Sequence, residues 1–352
     1  MTTPETELLR ASLHELLQTH AEPSELLAGE GHWMSKAWSD LLEMGIPWLG
    51  INEARGGSGG TATEAALAVR LLAAHGVTVP VGEMALLAGW ALTRADLDIA
   101  PDQPVTAAVG PSAGGLSAVR DGEDILVTGE AHGVPWAADC ELIVTAVAVG
   151  GEDHVLAVPV TAVSVEPGHD IAGERRDTVT LDGLLIPASA AGAVPGAAAQ
   201  LAARAAAIRA VAIAGAAEKV LALTTEHVRT RRQFGKPIGQ FQAVGHMVAE
   251  LAGATAATQA AAVLAVTALE TDDERLAAAA KVVASESAGR IVALAHQVHG
   301  AIGMTREHPL HLHTRHLLAW RDEYGNDDYW AAAIGAATVA PTHAAWATVM
   351  PL

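Results

Sequence analysis

The texture of the chain changes twice, near positions 103 and 197, and this double change limits the folds open to it more than any other feature. Between those positions the apolar residues form short, β-branched runs broken by Gly, Asp and Pro: Val105–Val109, Ile125–Thr128, Leu142–Val149, His154–Val158, Val160–Val165 and Thr178–Leu181. Such runs read as strands. Asp121-Gly122 suits a tight hairpin turn, and Gly183 and Pro187 help close the unit. On both sides the apolar residues recur at helical spacing. The pattern predicts an α+β chain in three parts: a helical N-terminal domain over 1–102, a small antiparallel β domain over 103–197, and a C-terminal four-helix bundle over 198–352.

Leu8, Leu9, Leu13, Leu16 and Leu17 form the first apolar stripe, and a further helix is expected over Ser35–Met44, stopping near Gly45. Arg55-Gly56-Gly57-Ser58-Gly59-Gly60 is a turn, not a phosphate loop, because no Gly-Lys-Ser/Thr follows it. Thr61 with Glu64 reads as a capping box. Long helices are expected over 199–231, 240–268, 274–299 and 327–347, with Gly235 and Pro237 stopping the first. Hydrophobic residues make up 51% of the 352, much of it alanine, which favours closely packed helices over a disordered chain.

The formal net charge of −19 repels nucleic-acid phosphates, so no nucleic-acid partner is expected. Seven of the 21 Lys and Arg nevertheless lie between Arg204 and Lys236, which suits a small anion or a solvated helix face. Cys140 is the only cysteine and sits between two acids, so it reads as structural in a reducing compartment. Met1 to Glu7 carries no apolar signal, and the apolar run Leu201–Leu223 is interrupted by Arg204, Arg209, Glu218 and Lys219. A cytoplasmic chain with no membrane span is expected.

One segment points to chemistry. In Arg229-Thr230-Arg231-Arg232-Gln233-Phe234-Gly235-Lys236-Pro237-Ile238-Gly239-Gln240-Phe241-Gln242, arginines end one helix, a Gly/Pro turn follows, and a new helix begins. Guanidinium forks and free backbone N–H groups at such a corner can hold a diphosphate. Phe234 can cover an aromatic base, and the Gln242 amide can read a polar edge.

Arg231, Phe234, Gly235 and Gln242 match, in order and spacing, the Arg-x-x-Phe-Gly…Gln pattern of the acyl-CoA dehydrogenase family, and the chain resembles that family. Gln297-Val298-His299-Gly300-Ala301-Ile302-Gly303 resembles the family's Gln-x-x-Gly-Gly-x-Gly segment, with Ala301 in place of one glycine; Glu307-His308-Pro309-Leu310 and Arg315 continue the match. The order helix, β, helix is also the family's. The resemblance implies FAD as cofactor, its ADP part held at a site shared with a neighbouring subunit. It assigns Arg231 to the pyrophosphate, Gln233, Phe234 and Gln242 to the nucleotide, and Gln297, Gly300 and Ala301 to the same cofactor, with Gly325 as a further contact.

The departures concern the base. The family reaction removes an α-proton from an acyl thioester while a hydride leaves the β-carbon, and it needs a carboxylate of raised pKa. Where the family commonly has Glu-Gly, this chain has Tyr324-Gly325; where other branches have an early helical Glu, it has Ala205-Ala206. A tyrosine with a pKa of about 10 is a poor base here. The middle domain has Ala107–Gly115 without the family's Thr-Glu pair, and Gly133-Val134-Pro135-Trp136 in place of its Trp-Ile-Thr-like segment; Trp136 reads as a ring cover or a core residue. This combination resembles the degenerate partner in heteromeric actinobacterial acyl-CoA dehydrogenases acting on steroid side chains. It implies a heterotetramer in which a second acyl-CoA dehydrogenase-like chain supplies the catalytic Glu and the acyl-CoA is bound at the complex. The alternatives are a self-sufficient homomeric enzyme using Glu323 as a relocated base, and a flavin-free interaction partner. His308, His311, His313 and His316 do not share one helical face and bring no acidic or cysteine ligand cluster, so no metal is expected. No Gly-x-Ser-x-Gly elbow supports a serine hydrolase.

Overall fold

A computed structural model of the chain describes residues 4–28, 31–110 and 114–339. The N-terminal region is helical. Helix α1 (Pro4–Gln18) buries Leu13 and Leu17, while Leu8 points to solvent. Short α2 (Pro23–Ala28) and α3 (Ser35–Glu43) follow, and Gly45 ends α3 with a φ of 71°. Helix α4 (Ala62–His75) starts at the capping box foreseen in the sequence: the Thr61 hydroxyl accepts from the Thr63 amide, and Glu64 accepts from the Thr61 amide at 2.9 Å. A π-helical segment, Glu83–Ala88, runs directly into α5 (Gly89–Arg94). Its first residue, Glu83, is a buried acid in an otherwise apolar run.

The middle region holds two four-stranded sheets. One has the order β1 (Val105–Ala108), β4 (Leu142–Val149), β5 (Glu152–Pro159), β8 (Ala191–Ala193). The other has the order β2 (Gly115–Asp121), β3 (Asp124–Pro135), β7 (Arg176–Ile186), β6 (Ser164–Glu166). All pairings are antiparallel except β1 with β4. The β2–β3 hairpin turns at Gly122-Glu123, with Asp121 opposite Asp124 and Gly122 at φ 64°. The expected strand over Val160–Val165 is corrected: Val160–Ala162 form a 3₁₀ turn, and only Ser164–Glu166 pair. Pro159 restricts the approach to that turn and Val163 ends it, so β-branched content alone misled. Strand β2, exposed along most of its length, lacks the apolar run that marks a strand in sequence.

Three long helices follow: α6 (Ala197–Thr230), α7 (Gln242–Thr271) and α8 (Glu274–His299). Two shorter ones, α9 (Leu310–Asp322) and α10 (Asp327–Thr338), complete the C-terminal bundle. Helix α9 was hidden in the sequence because histidines stand at inward positions beside Leu310, Leu317 and Trp320. The expected stretch of α10 over 340–347 lies outside the described residues. Almost all of α6 from Ala203 to Ala217 is buried, and Arg204 fastens it to both neighbouring regions. The Arg204 guanidinium donates to Leu86 O at 2.8 Å, Leu269 O at 3.0 Å and Asp272 at 2.7 Å. Helix α7 is long and apolar enough to cross a membrane by composition, with only 39% of its most apolar window buried. It packs on α6 and α8, and Val263 and Leu264 on its outer side remain exposed.

Candidate functional site

The corner after α6 is built by two facing pairs of residues. Arg231 leaves the helix in extended conformation, and Arg232–Gln233 pair antiparallel with Lys236–Pro237, Gln233 opposite Lys236. Phe234 and Gly235 are therefore the central residues of a two-residue hairpin, with φ 51° and 80°. A turn of this shape requires positive φ at both positions. Glycine accepts that without cost, whereas phenylalanine does so only under strain. The strain presents the Phe234 ring to solvent, 92% exposed and edge-on to Phe241 at 6.0 Å. Lys236 Nζ lies 4.4 Å from the Phe241 ring. The Arg231 guanidinium has no hydrogen-bond partner among the described residues, and Gln233 and Gln242 are exposed. Gln242 opens α7, whose N-cap residue Phe241 offers no side-chain acceptor, so the first amides of α7 are free to meet an anion.

The second motif meets this corner. Gln297 is exposed on the last turn of α8, and Gly300 ends it at φ 64°, ψ −146°, a conformation open essentially to glycine alone. A Cβ on Gly300 or on Gly235 would meet nothing within 4 Å, so both leave open space for a group to approach the backbone. Ala301 is exposed beside Gly300. His227, one turn before Arg231, stacks on His299 with ring centroids 4.3 Å apart. The stack brings the ends of α6 and α8 together, and His308 stands edge-on to His299 at 4.7 Å. Burial, reinforced by the neighbouring rings, lowers the pKa of His227 to about 4; burial also lowers those of His299 and His308. The positive charge of the corner therefore comes from Arg229, Arg231, Arg232 and Lys236.

The other arginines of that basic stretch serve a different place. Arg209 is buried and joins Glu323, Arg176, Glu83 and Glu174 in one ion-pair cluster. Glu323 accepts from Arg176 Nε at 2.7 Å and Nη2 at 3.1 Å, and from Arg209 Nε at 2.5 Å and Nη2 at 3.2 Å. Burial alone would raise its pKa, but the two guanidinium groups outweigh burial and hold the carboxyl below the usual range. Arg176 also donates to Glu174 at 2.7 Å, and His316 lies 3.2 Å from the other Glu174 oxygen. Lys281, fully buried, donates to Trp320 O and to Arg321 O at 3.0 Å, which satisfies the last carbonyls of α9 and fixes the chain where Glu323 begins.

Tyr324 and Ala205, which the sequence resemblance matches to the base positions, border this cluster. Ala205 is fully buried one turn before Arg209, and the Tyr324 ring lies 5.1 Å from the Arg209 guanidinium. Burial, then the Glu323 charge, pushes the Tyr324 hydroxyl well above its usual pKa. Neither offers a base at neutral pH, and a carboxylate gripped by two arginines does not offer one either. The cavity beside the cluster measures about 40 Å³, against roughly 300–1,000 Å³ for pockets that enclose small-molecule ligands. Trp136 lines it, 2% exposed and packed edge-on against Trp33 at 5.7 Å, as a core residue. Of the segment 107–115, residues 111–113 lie outside the described residues.

Gly325 does not join the corner. Its φ is 92°, and a Cβ there would meet Tyr329 at 2.5 Å and Trp330 at 2.9 Å, so it serves the α9–α10 turn. Arg209 lies inside α6 and Arg231 caps its C-terminus 22 positions on, a separation of roughly 33 Å at 1.5 Å per residue. Arg176, Glu83 and Glu174 were not singled out by sequence. A lone acid such as Glu83 between Val81 and Leu92 was the available signal, since a buried charge requires a partner. The histidines 308, 311, 313 and 316 disperse: His313 is buried in the core, His316 stacks on Trp320 at 5.0 Å, and His311 bonds to the His308 carbonyl at 2.8 Å. Cys140 is buried, and burial followed by Asp139 raises its pKa, in keeping with a structural thiol.

Residues 3–95 match the acyl-CoA dehydrogenase N-terminal domain, and residues 196–338 match the acyl-CoA dehydrogenase C-terminal domain. The acyl-CoA dehydrogenase IpdE2 of Mycobacterium tuberculosis is 32% identical over 326 residues, covering 89% of this chain and 91% of the relative. Among solved structures, the ChsE4-ChsE5 complex from Mycobacterium tuberculosis superposes with a TM-score of 0.88 at 22% identity, covering 97% of this chain and 99% of the other. The Tcur3481-Tcur3483 steroid acyl-CoA dehydrogenase superposes with a TM-score of 0.85 at 22% identity, covering 94% and 97%. The two exposed motifs, the three-part architecture and these similarities agree: the chain belongs to the acyl-CoA dehydrogenase family of oxidoreductases.

Proposed function

We propose that this chain is the nucleotide-holding subunit of a heteromeric, FAD-dependent acyl-CoA dehydrogenase, and that the base is supplied by a second chain of the same family. The observation that carries this reading is the ion-pair cluster around Glu323. On this reading the cluster lies where a base and an acyl thioester would meet, and the support for it is that Glu323 is taken up by two arginines and the cavity beside the cluster measures about 40 Å³. The corner at the far end of α6, by contrast, is open, cationic and topped by an exposed aromatic ring.

Family members generally use FAD, which accepts the hydride in the desaturation of an acyl-CoA thioester. The donor set of the corner fits its ADP part. Arg231 would neutralise the pyrophosphate, the first amides of α7 would donate to it, Phe234 would cover the adenine, and Gln242 and Gln297 would bond its polar edges. The bare backbone at Gly300, with Ala301 beside it, admits close approach. The corner stands roughly 33 Å along α6 from Arg209, a length measured at 1.5 Å per residue, so the cofactor it holds would react in a neighbouring subunit. The uncovered apolar side of α7, with Val263 65% exposed, suits burial against such a subunit. One structural relative is a ChsE4-ChsE5 complex and another a Tcur3481-Tcur3483 steroid acyl-CoA dehydrogenase, each named for two chains. The reading extends that pairing, and a steroid side-chain CoA ester as substrate, to this protein. A reducing cytoplasm, proposed from the single buried Cys140, completes the setting.

The test is Arg231→Ala in the complex that a tagged chain brings down from its native host. The variant complex is expected to assemble but to retain much less flavin per chain, read from the flavin absorbance. Full flavin retention would remove Arg231 and the corner from the cofactor site.

A further inference from the structure

We propose that His227, His299 and His308 form a three-histidine site for a divalent transition-metal cation, Zn²⁺ being the ion best suited to it. The three side chains come from different segments: His227 from the last turn of α6, His299 from the end of α8, and His308 from the connection to α9. One ring nitrogen of each lies within 4.8 Å of the other two. Zn–N bonds of about 2.0–2.1 Å set tetrahedral donors roughly 3.4 Å apart, so the rings have to close by about 1.4 Å at most. His227 and His308 sit on half-buried positions and have room to do so.

His299 is the decisive residue. Its Nδ1 lies 2.8 Å from the Ala295 carbonyl, which can only accept, so Nδ1 carries the proton and Nε2 the lone pair. That Nε2 is buried, in a side chain 6% exposed, and has no hydrogen-bond partner. A buried acceptor left without a donor is costly, and ring stacking with His227 does nothing to relieve it. A cation does. A backbone carbonyl that fixes the tautomer and aims the free nitrogen is also the arrangement that supports metal-binding histidines. His308 Nδ1 accepts from the Leu310 amide at 3.1 Å, so this ring turns over, or yields that one bond, when it ligates. Three imidazoles without a carboxylate suit Zn²⁺, Ni²⁺ or Cu²⁺, and they exclude the oxygen-seeking Mg²⁺ and Ca²⁺. Three protein ligands with a solvent side leave a fourth position for water. A bound ion would tie the end of α6, just before Arg231, to the end of α8, just after Gln297.

The experiment uses the full chain, in whatever complex it purifies with, after removal of metal by a chelator. Co²⁺ is added as probe and the visible d–d bands are recorded, with Zn²⁺ as competitor. A stoichiometric amount of Co²⁺ with the intense bands of four-coordinate nitrogen ligation is expected, displaced by Zn²⁺. His227→Ala and His308→Ala, both at half-buried positions, are each expected to lose the bands while keeping the circular dichroism of the parent. Absence of bands in the parent overturns the proposal, and so do bands of equal intensity in both variants, which would locate the ion elsewhere among the 16 histidines. Flavin content, measured on the same samples, is independent of this result. A flavin-free chain that still binds Co²⁺ at the trio would leave the metal site standing.

Discussion

Glu323 illustrates how a buried carboxylate can be held in a form unfit for general-base catalysis. A general base for an α-proton needs a raised pKa and a free lone pair. Arg176 and Arg209 deprive Glu323 of both. Glu323→Gln is therefore expected to leave the turnover of the assembled complex, per bound flavin, unchanged. It is expected to lower stability by about 1–3 kcal/mol, because each of two buried guanidinium groups loses one charged acceptor while Arg209 keeps Glu83 and Arg176 keeps Glu174. Since the folded pKa of Glu323 lies below its unfolded value, its contribution is present above pH ~4.3 and is lost as the pH falls through the folded value. Acid unfolding of the variant, followed by circular dichroism, should thus be less steep in that range. Abolished turnover with full flavin would make Glu323 the base. That Ala205 and Tyr324 carry no carboxylate was legible directly in the sequence. The fate of Glu323 was not, because Arg176 is 147 positions away and only the fold brings the two together.

At the scale of elements, α6 organises the molecule. Its Ala-rich face lets neighbouring helices come close, and Gly215 marks the tightest approach: a Cβ there would stand 2.1 Å from the Arg70 carbonyl of α4. Gly215→Ala should push α4 off α6, and the overpacking should cost about 1–3 kcal/mol in chemical denaturation. A neutral effect would mean that the two helices have slack. The long helices were readable from periodicity and from their stop signals, Gly235 and Pro237 above all. Helix α9 was not, since its inward His313 and His316 are ordinarily read as polar, and each is buried by partners distant in sequence. Strand Val160–Val165 failed for the opposite reason: its residue types favour β structure, but no neighbouring strand faces Val160–Ala162. The hairpin Arg232–Pro237 was read as a turn, and its strained Phe234 became visible only through its φ.

At the scale of the whole molecule, two places along α6 have separated roles. The stretch around Arg209, inside the helix, is closed by charge pairs, whereas the C-terminal end at Arg231 is open, cationic and unpartnered. An acidic chain of net charge −19 that keeps one exposed basic corner and one apolar helix side is suited to sharing a cofactor and a surface. The sequence carried the family and the order helix, β, helix, because its two motifs, one with Ala301 in place of a glycine, lie within short segments. It did not carry the ion-pair cluster around Glu323, which depends on residues drawn from the π-helical segment, the middle sheets and the bundle. The most direct test of the shared-site account is the flavin-to-protein ratio and acyl-CoA desaturation of this chain purified alone, compared with the complex it forms in its native host. A flavin-poor, inactive chain alone and stoichiometric flavin with turnover in the complex are expected; a yellow, fully active homomer of the isolated chain would overturn the shared site.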